Sequence, residues 1–295
     1  MINYILLFLS ISLETGKNAA FDYFGKNKLS DAKNLHLFNT ITYIGALPVL
    51  LIALLLGQSR TLSLFTLGSA VGFAVVNLLA QLFYIKAISC GSMTLTTLIT
   101  CCGFIISTVF SVLWYAEPVR ILQVVLLPLL ILALALTMNL ERGRCNVRWI
   151  LYAAGSMVST GLIGVMQKVH QESAYSGEIG MFLLIAFAVM AAVSAVLFLG
   201  SRGGGADGTA RVRGAARMRP DVTTLLAAGS GAALGTVHSL NLYLSGVLPA
   251  ILFFPIANGG LILMTAAVSM VVFREKLNVK QWVGLIMGVV IICLM

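Results

Sequence analysis

Ten apolar segments, each about 20 residues long, follow one another along the sequence, and this succession constrains the fold more than any other feature. A helix of that length crosses the hydrocarbon layer of a bilayer. The segments lack the alternating pattern of barrel strands, so helices are the only spanning structure open to them. The sequence therefore predicts an all-α membrane protein with ten transmembrane helices, near residues 2–24, 36–57, 63–85, 91–115, 120–140, 149–169, 178–200, 222–245, 248–273 and 279–295.

Composition excludes several other classes of protein. Hydrophobic residues make up 59% of the chain and charged residues 10%, against about 25% charged in an average soluble domain. This excludes a disordered chain, a disulfide scaffold and an ordinary cytosolic enzyme. The five cysteines form no CxxC pair, and the sequence has no HExxH, GxSxG or Walker motif. We therefore expect no enzyme activity, no metal and no cofactor.

Two windows of 13 residues indicate that the halves of the chain are related. Residues 111–123 read SVLWYAEPVRILQ and residues 269–281 read SMVVFREKLNVKQ, so that an offset of 158 aligns Glu117 with Glu275. Each window lies between the fourth and fifth segments of its half. Halves of five segments have opposite orientations, which is the inverted repeat of many transporters. Chance similarity between apolar segments is the alternative explanation.

A second match, near the start of each half, supports this division of the chain. Thr15-Gly16 corresponds to Thr160-Gly161 at an offset of 145. A stretch rich in Gly and Arg interrupts the second half and is predicted to be a flexible linker in water. The two five-helix repeats and this linker are predicted at 1–145, 146–295 and 201–221.

Basic residues are unequally divided between the two sets of loops. Sixteen of the 19 Lys and Arg residues follow odd-numbered segments, and only Arg60, Arg120 and Lys168 follow even-numbered ones. Because basic residues collect in cytoplasmic loops, both termini are predicted outside a cell membrane, plasma or inner. The basic linker is expected to contact anionic lipid headgroups, with no nucleic acid as partner.

The end of the ninth segment carries the most specific motif. Residues 273–284 read FREKLNVKQWVG, with a Glu and then a Gln-x-x-Gly that opens the tenth segment. Residues 115–123, YAEPVRILQ, are a weaker copy, with Leu126 where the second copy has Gly284. On these windows the chain resembles the drug/metabolite transporter superfamily in its ten-span, EamA-like form. The resemblance implies a five-plus-five inverted repeat around a central cavity that moves small organic solutes by alternating access.

The first segment carries a second, local resemblance. Residues 4–16, YILLFLSISLETG, are similar to the first span of the small multidrug resistance transporters. In that family a Glu in the middle of the membrane binds protons and cationic substrates, and Glu14 matches it. The second half has Ser159 at the equivalent position, so the resemblance implies one such carboxylate per molecule.

Glu14 is also the leading candidate for chemistry on physical grounds. It lies near the bilayer centre, where a carboxylate is costly unless it is protonated, paired or hydrated. Burial favours the protonated form of a carboxyl group, as a proton-coupled carrier requires. Lys17 lies three residues further on, on the same helical face, and would adjust the proton affinity of Glu14. The alternative is an ion pair that is only structural.

Further polar residues inside the segments could line a cavity, although a lone polar group often forms only a helix–helix hydrogen bond. Two tyrosines among them could present aromatic faces to a cation. These candidates are Asn18, Asn77, Gln81, Tyr84, His238, Asn241, Tyr243 and Asn258.

Two segments are predicted to contain interrupted helices. Residues 254–260, FPIANGG, combine a proline with two glycines, and residues 100–103, TCCG, occupy the equivalent place in the first half. Interruptions at equivalent points of two repeats indicate a binding site, and close packing of small residues is the alternative. Glu117 and Glu275 instead precede new segments, where a carboxylate caps a helix, so their role is predicted to be structural.

The sequence as a whole predicts a secondary active transporter, coupled to protons through Glu14, for a small polar or cationic organic solute. A uniporter or exchanger of an anionic or zwitterionic metabolite is the alternative, with Lys17 binding the acidic group. A membrane enzyme or a scaffold that transports nothing is a weaker alternative. The expected partners are the solute, protons and the bilayer, with the protein as a monomer or a weak homodimer.

Overall fold

The computed structural model describes residues 2–28, 32–56, 61–91, 93–138, 146–200, 222–272 and 278–295. These ranges contain eleven α-helices and no strand. The helices are α1 (Ile2–Lys28), α2 (Ala32–Leu56), α3 (Leu64–Cys90), α4 (Met93–Cys101), α5 (Phe104–Tyr115), α6 (Ile121–Thr137), α7 (Val147–Gln171), α8 (Ile179–Gly200), α9 (Val222–Val247), α10 (Ala250–Val272) and α11 (Val279–Leu294). The predicted linker 201–221 lies outside the described residues.

The helices coincide with the ten predicted segments, with α4 and α5 together forming the fourth. Within the described part of the chain, six helical stretches are long and apolar enough to cross a membrane, and α6 and α11 are shorter apolar helices. Large apolar side chains cover the outside of the bundle, for example Ile121 at 85% exposure and Leu113 at 79%. The prediction of an all-α membrane protein is confirmed.

Only one of the two predicted interruptions is present. Between α4 and α5, the amides of Gly103, Ile105 and Ile106 each bond to the carbonyl three residues earlier, which tightens the helix into a short stretch of 3-10 geometry. In α10 the prediction was wrong, because the helix continues through Pro255 without a break. A proline removes only one amide donor, so the neighbouring turns can keep their hydrogen bonds.

The helices pack into two apolar clusters that surround the centre of the bundle. One cluster joins α1, α5, α6, α9, α10 and α11 around Leu130, Leu134 and Phe253. The other joins α2, α3, α8 and α9 around Phe73, Phe182 and Phe187. Helix α7 packs along α3 and against α4 and α5, and α9 packs along α2 and α1. Helices from both halves of the sequence therefore meet at the centre.

Candidate functional site

A cavity of about 440 Å³ lies at the centre of the bundle. Its walls come from α1, α2, α3, α5, α7, α8, α9 and α10, so both halves of the sequence contribute. Of the ten predicted contact residues, the eight that line it are Glu14, Lys17, Asn18, Asn77, Gln81, His238, Asn241 and Asn258.

Two of the predicted contact residues, Tyr84 and Tyr243, do not line this cavity. The hydroxyl of Tyr84 is 2.9 Å from Thr97 Oγ1, so it links α3 to α4. Tyr243 is 41% exposed, because it follows the cavity residue Asn241 by two positions, or about 200° around the helix. Glu275 lies outside the described residues.

Glu14 and Lys17 are the only Asp, Glu, Lys or Arg residues among the described residues that line the cavity, and they form a pair on α1. Lys17 Nζ is 3.7 Å from Glu14 Oε1, and the two side chains are 18% and 29% exposed. At this distance the ammonium partly neutralises the carboxylate without a close hydrogen bond. Both groups therefore remain available to a charged solute in the cavity.

The wall formed by α2 and α3 presents two amides that are each held by one protein partner. Tyr43 Oη donates to Gln81 Oε1 at 3.2 Å. Asn77 Nδ2 donates to the backbone carbonyl of Phe73, one turn earlier, at 2.8 Å. Each amide is thereby oriented and keeps a second polar group for the cavity.

Helix α9 contributes a third amide and an imidazole. Ser10 Oγ donates to Asn241 Oδ1 at 2.7 Å, which links α1 to α9 one turn before Glu14. The ring of His238 lies 5.4 Å from Phe187 and 5.8 Å from Phe73 between centroids, edge to face with both. Its Nδ1 atom is buried and has no hydrogen-bond partner in the part of the chain that the structure describes. Aromatic contact therefore positions this imidazole, with no hydrogen bond to Nδ1.

Helix α10 contributes aromatic rings beside an amide. Phe253 and Phe254 lie 5.0 Å apart between centroids and are 2% and 3% exposed. Asn258 Nδ2 donates to the carbonyl of Phe254 at 2.9 Å, and this bond braces the turn that follows Pro255. The cavity thus combines a charged pair, oriented amides and apolar rings, as small-molecule sites usually do.

The tightened turn in the fourth segment leads into the wall of the cavity. Phe104 and Ser107, from the first turn of α5, line the cavity. A Cβ atom on Gly103 would lie 2.6 Å from the carbonyl oxygen of Met157. Glycine is required here because the backbones of α5 and α7 touch.

Several cavity residues were missed from the sequence. Helix α7 lines the cavity with Thr160, Ile163, Gly164 and Gln167, and Gln167 is only 5% exposed. Their spacing of three and four residues is that of a single helical face, which was the signal that could have found them. This spacing was difficult to recognise in the sequence, because α7 has small and apolar residues on its other faces too.

An ion cluster around a buried lysine, also missed from the sequence, lies at one end of the bundle. Lys168 Nζ lies 2.7 Å from Glu117 Oε1 and 2.9 Å from Glu172 Oε1, and donates to the carbonyl of Ser245 at 3.1 Å. The lysine is 2% exposed. Its three protons thus have three acceptors, which is what burial of an ammonium group requires.

Glu117 also caps the N-terminus of α10. Its Oε2 atom accepts a hydrogen bond from the amide of Ala250 at 2.6 Å. The preceding residue, Ala116, has φ 50° and ψ 39° and ends α5 in the left-handed region. This turn directs Glu117 away from its own helix toward a helix of the other half. The predicted helix-end position of Glu117 thus coincides with a contact between the halves.

The two ends of the cavity differ in burial. At the end of the bundle that contains Lys168, called the Lys168 end, Gln167, Phe253 and Phe254 are all at least nine-tenths buried. At the opposite end, called the Asn39 end, Phe38 and Asn39 near the start of α2 are half-buried. The lining of the cavity is therefore more buried at the Lys168 end and more accessible at the Asn39 end. In the described chain, no group of His, Cys, Asp and Glu is arranged to hold a metal.

Known proteins are similar to this chain in sequence and in fold. A model of the EamA-like transporter family matches residues 19–139. A solved crystal structure that is 14% identical matches over 99% of this chain and 95% of its own, with a TM-score of 0.74, and shares the fold. No curated protein matches the chain.

These findings confirm the resemblance to the drug/metabolite transporter superfamily in its EamA-like form. The local similarity of the first span to small multidrug resistance transporters stays a prediction. Residues 19–139 match the EamA-like transporter family, and the apolar helices of the chain are those of a multi-pass membrane protein.

Proposed function

We propose that this protein is a secondary active transporter that moves a small polar or cationic organic solute by alternating access, in exchange for protons. The observation that carries the proposal is the cavity, where the Glu14–Lys17 pair faces oriented amides and aromatic rings. The matching family is one of transporters, which agrees with the expectation that the chain is not an enzyme.

The pairing of helices supports an inverted repeat with boundaries 1–145 and 146–295. In an inverted repeat each helix has a counterpart five segments later: α1 corresponds to α7, α3 to α9, and the α4–α5 segment to α10. The contact between α3 and α7 then corresponds to the contact between α9 and α1. In the same way, the contact between α1 and α10 corresponds to the contact between α7 and the α4–α5 segment. The pairs α2–α8, α5–α10 and α6–α11 are their own counterparts. All of these helices are in contact. Two halves related in this way can rock about the cavity and expose it to each side in turn.

Glu14 is the proposed proton-exchanging group. It is the one carboxylate of the described residues that lines the cavity, and intramembrane carboxylates are costly and usually functional. A cationic solute and a proton would compete for the same oxygen atoms, with Lys17 at 3.7 Å adjusting that competition. Binding of one would then release the other, which is the requirement for an antiporter.

A zwitterionic solute, such as an amino acid, is a second candidate. It is favoured by the same pair, because Glu14 and Lys17 are separated far enough to accept an ammonium group and a carboxylate side by side. In that case Lys17 is a substrate contact, and transport as a uniporter or exchanger needs no proton.

The test is flux of radiolabelled choline and glutamine into proteoliposomes, with and without an imposed pH gradient. Proton coupling predicts that the gradient raises choline flux and that Glu14→Gln abolishes this increase. Glu172→Gln is the matched control, since Glu172 lies in the ion cluster away from the cavity. A gradient-driven increase that survives Glu14→Gln would refute coupling through Glu14. Glutamine flux that is insensitive to pH and lost in Lys17→Met would favour the zwitterion.

A further inference from the structure

The most buried amide side chain of the cavity has no hydrogen bond to any described residue. Gln167 is 5% exposed and lines the cavity, and it has no hydrogen-bond partner among the described residues. The sealed polar atoms without partners are those of Thr42, Thr108 and His238. Because the amide of Gln167 is not one of them, its nitrogen and oxygen face the cavity space.

The other amides of the cavity are held differently. Asn77, Gln81, Asn241 and Asn258 each use one polar group in a bond to the protein. Asn18 and Asn39 have none but are half-buried, so water can satisfy them. Gln167 alone among the described cavity amides is both nine-tenths buried and unbonded. A solute that enters the cavity can therefore bond to the amide of Gln167 without breaking a hydrogen bond of the protein.

The position of Gln167 complements that of Glu14. Glu14 lies about 18 Å from the Lys168 end along α1, and Gln167 lies about 6 Å from that end along α7, at about 1.5 Å of rise per residue. The two helices are antiparallel, with the start of α1 and the end of α7 at the Lys168 end. Because Cβ atoms tilt toward the start of their helix, both side chains lean into the space between them.

We propose that Gln167 is a specificity-determining residue whose amide binds a neutral polar group at the far end of the transported solute. The inference rests on the proposed transport function and narrows its substrate class. The solute carries its charge at one end, next to Glu14 and Lys17, and an amide, carbonyl or hydroxyl group at the other. Phe253 and Phe254 line the cavity at the same end as Gln167 and suit the apolar carbons next to that neutral polar group.

The test compares isosteric solutes that differ only at the far end. L-glutamine and L-homoleucine are a zwitterionic pair in which the amide is replaced by an isopropyl group, and 4-aminobutanamide and 4-methylpentylamine are the cationic equivalent. Binding to the purified protein is measured by calorimetry. The wild type is expected to prefer the amide member of whichever pair binds. Gln167→Leu is expected to reduce that preference about three- to tenfold, the effect of one neutral hydrogen bond.

The matched control is Gln171→Leu, the same substitution one turn further along α7. Gln171 does not line the cavity, and its amide contacts the His170 ring. It should leave the amide preference unchanged. A preference that persists in Gln167→Leu, or that falls equally in both variants, overturns the role of Gln167 and leaves the transport function standing. If no member of either pair binds the wild type, the proposed charged-solute function is rejected together with this inference.

Discussion

Lys168 illustrates how one residue can differ from what its sequence position suggests. From the sequence it belongs to a loop after the sixth segment, yet it is buried within α7 between two carboxylates. Lys17 also lies inside the membrane, but its ion pair with Glu14 is longer than the contacts of Lys168, and both of its side chains are partly exposed. The contribution of a lysine to stability is therefore set by its own burial and by the distance to its partners, and not by depth alone.

This contrast predicts different costs for the same substitution. Lys168→Met should lower the free energy of unfolding by about 3–5 kcal/mol, because it leaves Glu117 buried without a counterion. Lys17→Met should cost less than about 1 kcal/mol, as for partly exposed pairs. The measurement is unfolding in mixed micelles followed by circular dichroism. The double variant Lys168→Met with Glu117→Gln should recover part of the loss. Equal costs for the two lysines would contradict the cluster's role.

At the scale of elements, close approach between α5 and α7 determines the shape of the cavity wall. A Cβ atom on Gly161 would lie 2.6 Å from Ile106 Cβ and 2.8 Å from the carbonyl oxygen of Gly103. Its sequence counterpart, Gly16 in α1, has nothing within 4 Å of such an atom. The two glycines are thus alike in sequence and unlike in packing.

Substitution of this pair tests the packing directly. Gly161→Ala should destabilise the protein by about 1–3 kcal/mol, because neither helix can move aside without opening the core. Gly16→Ala should be neutral or stabilising by up to about 1 kcal/mol, since alanine favours a helix over glycine. Thermal unfolding of the two variants in detergent makes the comparison. A larger loss for Gly16→Ala would show that the close contact between α5 and α7 is wrong.

For the whole molecule, access to the cavity and orientation in the membrane are linked. The more accessible Asn39 end lies on the side of the basic loops, which the charge distribution predicts to be cytoplasmic. Lys17 and Lys168 lie within helices in the structure, but removing both from the loop count leaves the asymmetry intact. The described state is therefore predicted to open inward.

Labelling with a membrane-impermeant maleimide checks this orientation. Asn39→Cys should react in inside-out vesicles and not in right-side-out ones. Leu62→Cys, which is 46% exposed before the start of α3 at the Lys168 end, should show the opposite pattern. The parent chain supplies the background from native cysteines. Reversed labelling of the two positions would invert the predicted topology.

Much of the architecture could be predicted because it depends on local properties. Segment length and apolar composition determine which residues form spanning helices, and a bilayer leaves few other solutions. The same reasoning found Glu14 and most of the cavity amides, since a polar group inside an apolar segment must face protein or water. The continuous α10 could not be predicted, because loss of one proline amide is offset by the surrounding turns.

The sequence by itself determined the helical class, the number of spans and the polar residues that avoid lipid. Only the tertiary structure decided which faces meet, and hence that Gln167 lines the cavity, that Tyr84 and Tyr243 do not, and that Lys168 joins Glu117. The physical reason is that lipid is as apolar as the helix surfaces. Helix pairing therefore depends on close packing and hydrogen bonds between distant residues, which the composition of a single segment does not contain.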